Sequence, residues 1–141
     1  MFVFESVNDG KLPCKMTYFS VGFDLCVNED IELKAGETYI LPLGVKIQDY
    51  KQTTNYIDYL ELHPRSSLRA KGVISGVGVI DADYREEIKM IVFATKRITF
   101  KRGDRVAQLI ARHSNTDLMR NCEVLNDFRI GGIGSTSGGL K

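Results

Sequence analysis

No stretch of ten or more residues in this 141-residue chain carries a convincing helical period, whereas short β-prone segments recur with turn residues between them. The clearest strands are residues 38–41, 45–48, 56–63, 77–80, 88–94, 98–100 and 106–111. Residues 37–46 read as two strands broken near Pro42 and Gly44. Both faces of Ile88-Lys89-Met90-Ile91-Val92-Phe93 are mostly apolar, which predicts burial on both sides. The best helical candidate is one turn, residues 67–71, with a serine at its start and Gly72 as its stop. Many short strands about ten residues apart predict an all-β fold, a jelly-roll sandwich or barrel with one short helical turn.

The run Gly-Val-Gly-Val-Ile-Asp-Ala-Asp-Tyr-Arg-Glu-Glu over residues 76–87 sits between two of these strands. Turn residues flanked by apolar runs predict a β-hairpin whose bend carries Asp81 and Tyr84. A carboxylate and a ring at one bend can present a general base and a flat face to one small ligand.

The chain is one domain by size, able to bury roughly 68% of its unfolded surface. Residues 1–128 are expected to form the domain and 129–141 a glycine-rich tail. Five of residues 131–141 are glycine and three are Ser or Thr, so the tail is expected to order only when something binds. No run approaches the roughly 18 apolar residues of a membrane span, and the start lacks the apolar core of a signal peptide. A formal net charge of +1 argues against nucleic acid as a partner. Cys14, Cys26 and Cys122 are odd in number and widely spaced, giving neither a disulfide framework nor a zinc pattern. Reduced thiols fit a cytoplasmic or nuclear location.

Several motifs carry chemistry, each beside a plainer alternative. Pro64-Arg65-Ser66-Ser67 joins a strand to the helical turn, and two hydroxyls, a guanidinium and free backbone N–H groups make a compact anion site. The alternative is a serine that caps the helix and an arginine that pairs with an acid. In Gly103-Asp104-Arg105-Val106-Ala107-Gln108-Leu109-Ile110 a turn enters a strand whose Gln108 needs polar partners. It either binds a phosphate oxygen or metal-bound water, or is a satisfied structural amide. Gly131-Gly132-Ile133-Gly134-Ser135-Thr136 lacks the lysine ending and following helix of a P-loop. Lys96, Arg97, Lys101, Arg102 and Arg105 read as a solvated basic face. His63 and His113 have no metal-ligand spacing.

Taken in order, these segments resemble the five signature motifs of the trimeric dUTP diphosphatases (dUTPases). Val21-Gly22-Phe23-Asp24-Leu25 is similar to the first and Pro64-Arg65-Ser66-Ser67-Leu68 to the second. Gly78-Val79-Ile80-Asp81-Ala82-Asp83-Tyr84-Arg85 is similar to the third, residues 103–110 to the fourth, and Gly132-Ile133-Gly134-Ser135-Thr136 to the fifth. The resemblance implies a jelly-roll subunit, a homotrimer with active sites at subunit interfaces, and Mg2+-dependent hydrolysis of dUTP to dUMP and pyrophosphate. It makes Asp81 the catalytic base and Tyr84 the ring packed on deoxyribose. Ser66, with Arg65 and Ser67, lies by the phosphates. Gly76, Val77, Gly78, Val79 and Ile80 read the uracil edge, with Lys89 on the second arm. Asp24 and Gln108 hold magnesium-bound waters or the α-phosphate region. The tail closes from another subunit, with Arg129 on the γ-phosphate and Ile133, Gly134, Ser135 and Thr136 over the nucleotide.

Three departures stand out. Ile133 replaces a phenylalanine, Arg129 lies one residue closer to the glycines, and Glu86 replaces a glycine. Two rivals remain. A dUTPase-like module that binds and signals would not need the retained Asp24, Asp81, Tyr84 and Gln108. The related dCTP deaminases carry a glutamate where Ile91 stands here.

Overall fold

Apolar residues at every second position oblige most of the chain to pair as strands with one face on a common core. The structure, a computed structural model, describes residues 1–126; the predicted tail and its Arg129, Ile133, Gly134, Ser135 and Thr136 lie outside the described residues. Among the described residues eleven strands form: β1 Phe2–Ser6, β2 Phe23–Cys26, β3 Ile31–Leu33, β4 Thr38–Pro42, β5 Val45–Tyr50, β6 Ile57–Pro64, β7 Val73–Ile74, β8 Gly78–Asp81, β9 Lys89–Ala94, β10 Ile98–Phe100 and β11 Arg105–Ser114. One helix, α1 Ser66–Ala70, follows β6, and one 3-10 turn, Thr116–Leu118, follows β11.

The strands make a four-stranded sheet β2-β11-β6-β8, a three-stranded sheet β4-β9-β7, and the pairs β1-β5 and β10-β3, all antiparallel. Their inner faces share one core. Leu25, Leu60, Leu62 and Leu109 come from the larger sheet, and Leu41, Met90 and Val92 from the smaller. The expected all-β jelly-roll sandwich is the fold observed. The break after Pro42 is also present, with Gly44 at φ 70° turning β4 into β5. Gly72 at φ 86° ends α1, and its N–H donates to Arg69 O at 2.9 Å.

Two expectations need correction. The arms on either side of the 76–87 bend do not pair as one hairpin. β8 pairs with β6, while β9 pairs with β4 and β7. The ribbon is paired only at its base, Val73 with Ala94 and Ile74 with Phe93, before β8 peels onto the other sheet. The cause lies beyond the bend, where Gly44 N–H donates to Glu87 Oε2 at 3.0 Å and Ile88 N–H to Val45 O at 2.8 Å. Those bonds bind the second arm to the β4–β5 turn. β9 is also not buried on both faces. Met90, Val92 and Ala94 are buried, whereas Lys89, Ile91 and Phe93 are exposed, because no second layer of the described residues covers that side.

The basic stretch has structural employment. Arg102 donates to Asn8 O, Asp9 O and Asn28 Oδ1, locking a turn in which Asn8 and Asp9 take positive φ. Arg97 pairs with Glu32 at 2.7 Å.

Candidate active site

Register on the four-stranded sheet places the chemistry. Gln108 of β11 lies opposite Asp24 of β2 on one side and His63 of β6 on the other. Residues directly opposite in antiparallel strands share a face, so the three form one row across the sheet. β6 then runs through Pro64 into α1, which carries Ser66 and Arg69 to the end of that row. Together His63, Ser66, Arg69, Gly76, Val77 and Gln108 wall a cavity of about 470 Å³. The sequence motifs around residues 64, 76 and 108 therefore meet in space although they are far apart in the chain.

Local conformation explains why the donors are available. The residue capping α1 is Arg65, in extended conformation and without a side-chain cap bond. Neither Ser66 nor Ser67 caps the helix, and both are exposed. The simple capping alternative therefore does not hold. Arg65 does pair with an acid: its Nε is 3.8 Å from Asp24 Oδ1, and Arg105 Nη1 is 3.5 Å from Asp24 Oδ2. Asp24 is only 9% exposed, and its Oδ2 accepts no hydrogen bond among the described residues. A buried carboxylate held by two guanidiniums at long range, beside the half-buried Gln108 amide, is a polar set left for something else to complete.

Gly22 makes room for that amide. A Cβ there would lie 2.2 Å from Gln108 Oε1. Gly22→Ala should therefore leave the domain folded but swing the glutamine out of the row. The expected loss is about tenfold in ligand affinity, the scale of one hydrogen bond. Adding Gln108→Ala to Gly22→Ala should cost nothing further. Independent, additive losses in that double variant would show that the glycine acts elsewhere.

Other predicted residues lie away from the cavity. Asp81 ends β8 opposite Tyr59 of β6, five residues before Pro64, on the order of 16 Å along the strand. Its carbonyl accepts from Tyr84 N–H at 3.1 Å, closing the turn. The Tyr84 ring is 8% exposed and belongs to the core, with its hydroxyl donating to Glu87 O at 3.1 Å. Gly78, Val79 and Ile80 span the interval between cavity and bend, with Val79 67% exposed and Ile80 in the core. Lys89 is exposed at the start of β9, opposite Pro42. Glu86 has no positive φ, so this bend is built without the flexibility a glycine would supply.

At the far end of the same sheet is a network the sequence did not announce. Asp58, 6% exposed, accepts from the Tyr50 hydroxyl at 2.5 Å and pairs with His113 Nδ1 at 2.5 Å. Tyr50's hydrogen bond, then His113's, hold its carboxyl below the usual range against the opposing effect of burial. Burial, followed by the Asp58 bond, pushes the Tyr50 phenol up. Residues 50, 58 and 113 follow no spacing rule that would pair them on sight.

Fold and cavity together define a class: a jelly-roll protein with a cavity walled by hydroxyl, guanidinium, imidazole and amide groups beside its four-stranded sheet. A dUTPase family profile matches residues 8–138. The chain is 34% identical to a deoxyuridine 5'-triphosphate nucleotidohydrolase of Streptomyces avermitilis over 138 residues, covering 92% of this chain and 76% of that one. It is 36% identical to the Rickettsia akari protein of the same description, covering 90% and 88% of the two chains. With the Variola virus counterpart it shares 32%, covering 97% and 91%. Among solved structures, a dUTPase from Streptococcus mutans superimposes with TM-score 0.63 at 32% identity, covering 78% of this chain and 94% of that one. A dUTPase from phage phi11 of S. aureus gives TM-score 0.74 at 15% identity, covering 89% and 98%, a likeness of fold. This chain belongs to the dUTPase family.

Proposed function

We propose that the protein hydrolyses dUTP to dUMP and pyrophosphate. The observation that carries the reading is the convergence of Ser66, Arg69, Gly76, Val77 and Gln108 on one cavity, with Asp24 opposite Gln108 in register and paired to Arg65. Guanidiniums, hydroxyls and an amide suit a polyphosphate, and ribbon backbone groups at residues 76–79 suit a pyrimidine edge. Cytosine would set an amino donor against groups meant for uracil's carbonyl, a mismatch worth about 10⁴-fold or more in a hydrogen-bonding site. Asp81 takes a proton from water as that water attacks the α-phosphorus. The bond from that phosphorus to the bridging oxygen breaks, and pyrophosphate leaves. Tyr84 borders the sugar, and Lys89 extends the ribbon's contact with substrate.

The remote position of Asp81 supports an assembly in which one copy's bend meets another's cavity. Ile40, Ile74, Ile91 and Phe93 support it too. They are 51%, 53%, 53% and 40% exposed on the outer face of β4-β9-β7, with Ile40 paired to Ile91 and Ile74 to Phe93. An open apolar patch of this kind marks an interface, and a homotrimer is the arrangement we infer. Ile91→Lys should convert the trimer to monomers in light scattering and abolish turnover at dilute protein. A trimer that survives the lysine would place the interface elsewhere.

The donor set suits Mg2+ held through water. One buried carboxylate with an unsatisfied oxygen and a neighbouring amide can anchor a hydrated ion, which takes its remaining ligands from substrate phosphates. Among the described residues no three carboxylate, histidine or cysteine groups gather to ligate a metal directly. Bound magnesium would screen phosphate charge and polarise the phosphorus. Arg129, Ile133, Gly134, Ser135 and Thr136 are proposed to close over the nucleotide from another copy, with aliphatic cover on the base in place of stacking.

The direct test incubates the protein with each deoxynucleoside triphosphate and magnesium and measures pyrophosphate. Release from dUTP alone supports the reading. Release from none, or equal release from all, overturns it.

A further inference from the structure

The outer face of β6 carries a cluster that the mechanism above does not use. Glu61 Oε1 accepts from His63 Nε2 at 2.9 Å and from Arg112 Nε at 3.1 Å, while the Tyr59 hydroxyl lies 3.5 Å from Oε2. Residues 59, 61 and 63 share this face because successive strand side chains alternate. The His63 hydrogen bond, ahead of the Arg112 bond, holds the Glu61 carboxyl below its usual range. An ionised carboxylate only accepts, so Nε2 of His63 carries a proton. His63 Nδ1 has no hydrogen-bond partner among the described residues. The ring lines the same cavity as Ser66, Arg69 and Gln108, whereas Glu61 stands outside it.

We propose that His63 is a phosphate-binding residue of this cavity, its ring buttressed by Glu61 and meeting the polyphosphate through Nδ1. The proposal rests on the nucleotide reading above and deepens it. A ring wedged between the Glu61 carboxylate and a phosphate oxygen carries a proton on each nitrogen and donates in both directions. Such charge-assisted bonds are about twice as strong as neutral ones. The charged neighbours fit this use. Glu61 on β6 pairs with the ring at 2.9 Å, and Arg112 on β11 shares that carboxylate at 3.1 Å. Arg69 on α1 and Arg65 before it bring further positive charge, with Arg65 turned toward Asp24 on β2. Positive groups gathered on one side of a cavity are tolerable together when an anion completes them. Pro64 restricts His63 to extended backbone, so the ring is positioned before ligand arrives.

The probe is inorganic tripolyphosphate, titrated calorimetrically into the full chain at one pH without metal. His63→Ala should weaken its binding about tenfold. Glu61→Gln should weaken it several-fold through loss of the charged buttress. In dUTP hydrolysis by His63→Ala, KM should rise by a larger factor than kcat falls. Long-range proton–nitrogen NMR on the unsubstituted protein gives a readout independent of any variant's folding, because the chain has only 2 histidines. At saturating tripolyphosphate the His63 Nδ1 resonance should move upfield into the protonated range while His113 stays put. An unmoved Nδ1 resonance, or wild-type affinity in both variants, overturns the proposal. The pyrophosphate assay on unsubstituted protein is scored apart. Its failure would count against dUTP hydrolysis and leave an Nδ1 response standing for His63.

Discussion

Asp81→Ala should release no more than a trace of pyrophosphate from dUTP while still binding the nucleotide. Asp81 is exposed at the last position of β8, where the chain leaves the sheet for the 81–84 turn. Its backbone is held by pairing with Tyr59 and by the Tyr84 N–H, so truncating the side chain leaves both restraints intact. General-base assistance contributes typically 10²–10⁴-fold, and turnover should fall by at least that factor. Asp81→Asn keeps shape and loses basicity, so it should match the alanine in kcat and the wild type in KM. Undiminished turnover in either variant would remove the assigned base.

Asp58→Ala is expected to give the largest stability loss outside the apolar core. The carboxylate is buried and takes a proton donor from each side, the Tyr50 hydroxyl and His113 Nδ1. Removing it strands the phenol of Tyr50 against apolar neighbours, with Phe2's ring 4.6 Å from its own. Loss of a hydrogen bond to a charged group costs about 1.5–3 kcal/mol. The His113 contribution is smaller, because that side chain is 66% exposed and solvent screens the pair. The same network predicts a pH dependence. Asp58's folded pKa is depressed, so its stabilisation is complete above the ordinary carboxyl range near about 4. It is lost as pH falls through the lower folded value. Thermal melts of wild type should drop on acidification below that range, and those of Asp58→Ala should drop less. Parallel curves would assign the acid response to other carboxylates.

Strand signals were legible where apolar alternation was strong. Residues 38–41, 45–48, 98–100 and 106–111 each fall within an observed strand. β1, with Phe2 and Phe4 beside Tyr50, went unread, because five residues at a chain start offer little pattern before their partner is known. The cavity was half legible. Ser66 stood out at a strand-to-helix junction and Gln108 as a polar group among apolar neighbours, but Gly22 was only a member of the first motif until Gln108 was seen packed on it. His63 carried no motif spacing, and its significance comes from Glu61 two residues earlier on the same strand face.

Composition and residue order alone determined the β class, the turn at Gly44, the stop at Gly72 and the family's motif sequence, because each depends on chemistry within a few neighbouring residues. Only the tertiary structure decided how the ribbon around Asp81 divides. Pairing of β8 with β6 and of β9 with β4 joins segments far apart in the chain, and hydrogen bonds of that reach outvote the local preference for a hairpin. The same long-range register aligned Asp24, Gln108 and His63 in one row. It also placed Asp81 opposite Tyr59, five residues from Pro64 along β6.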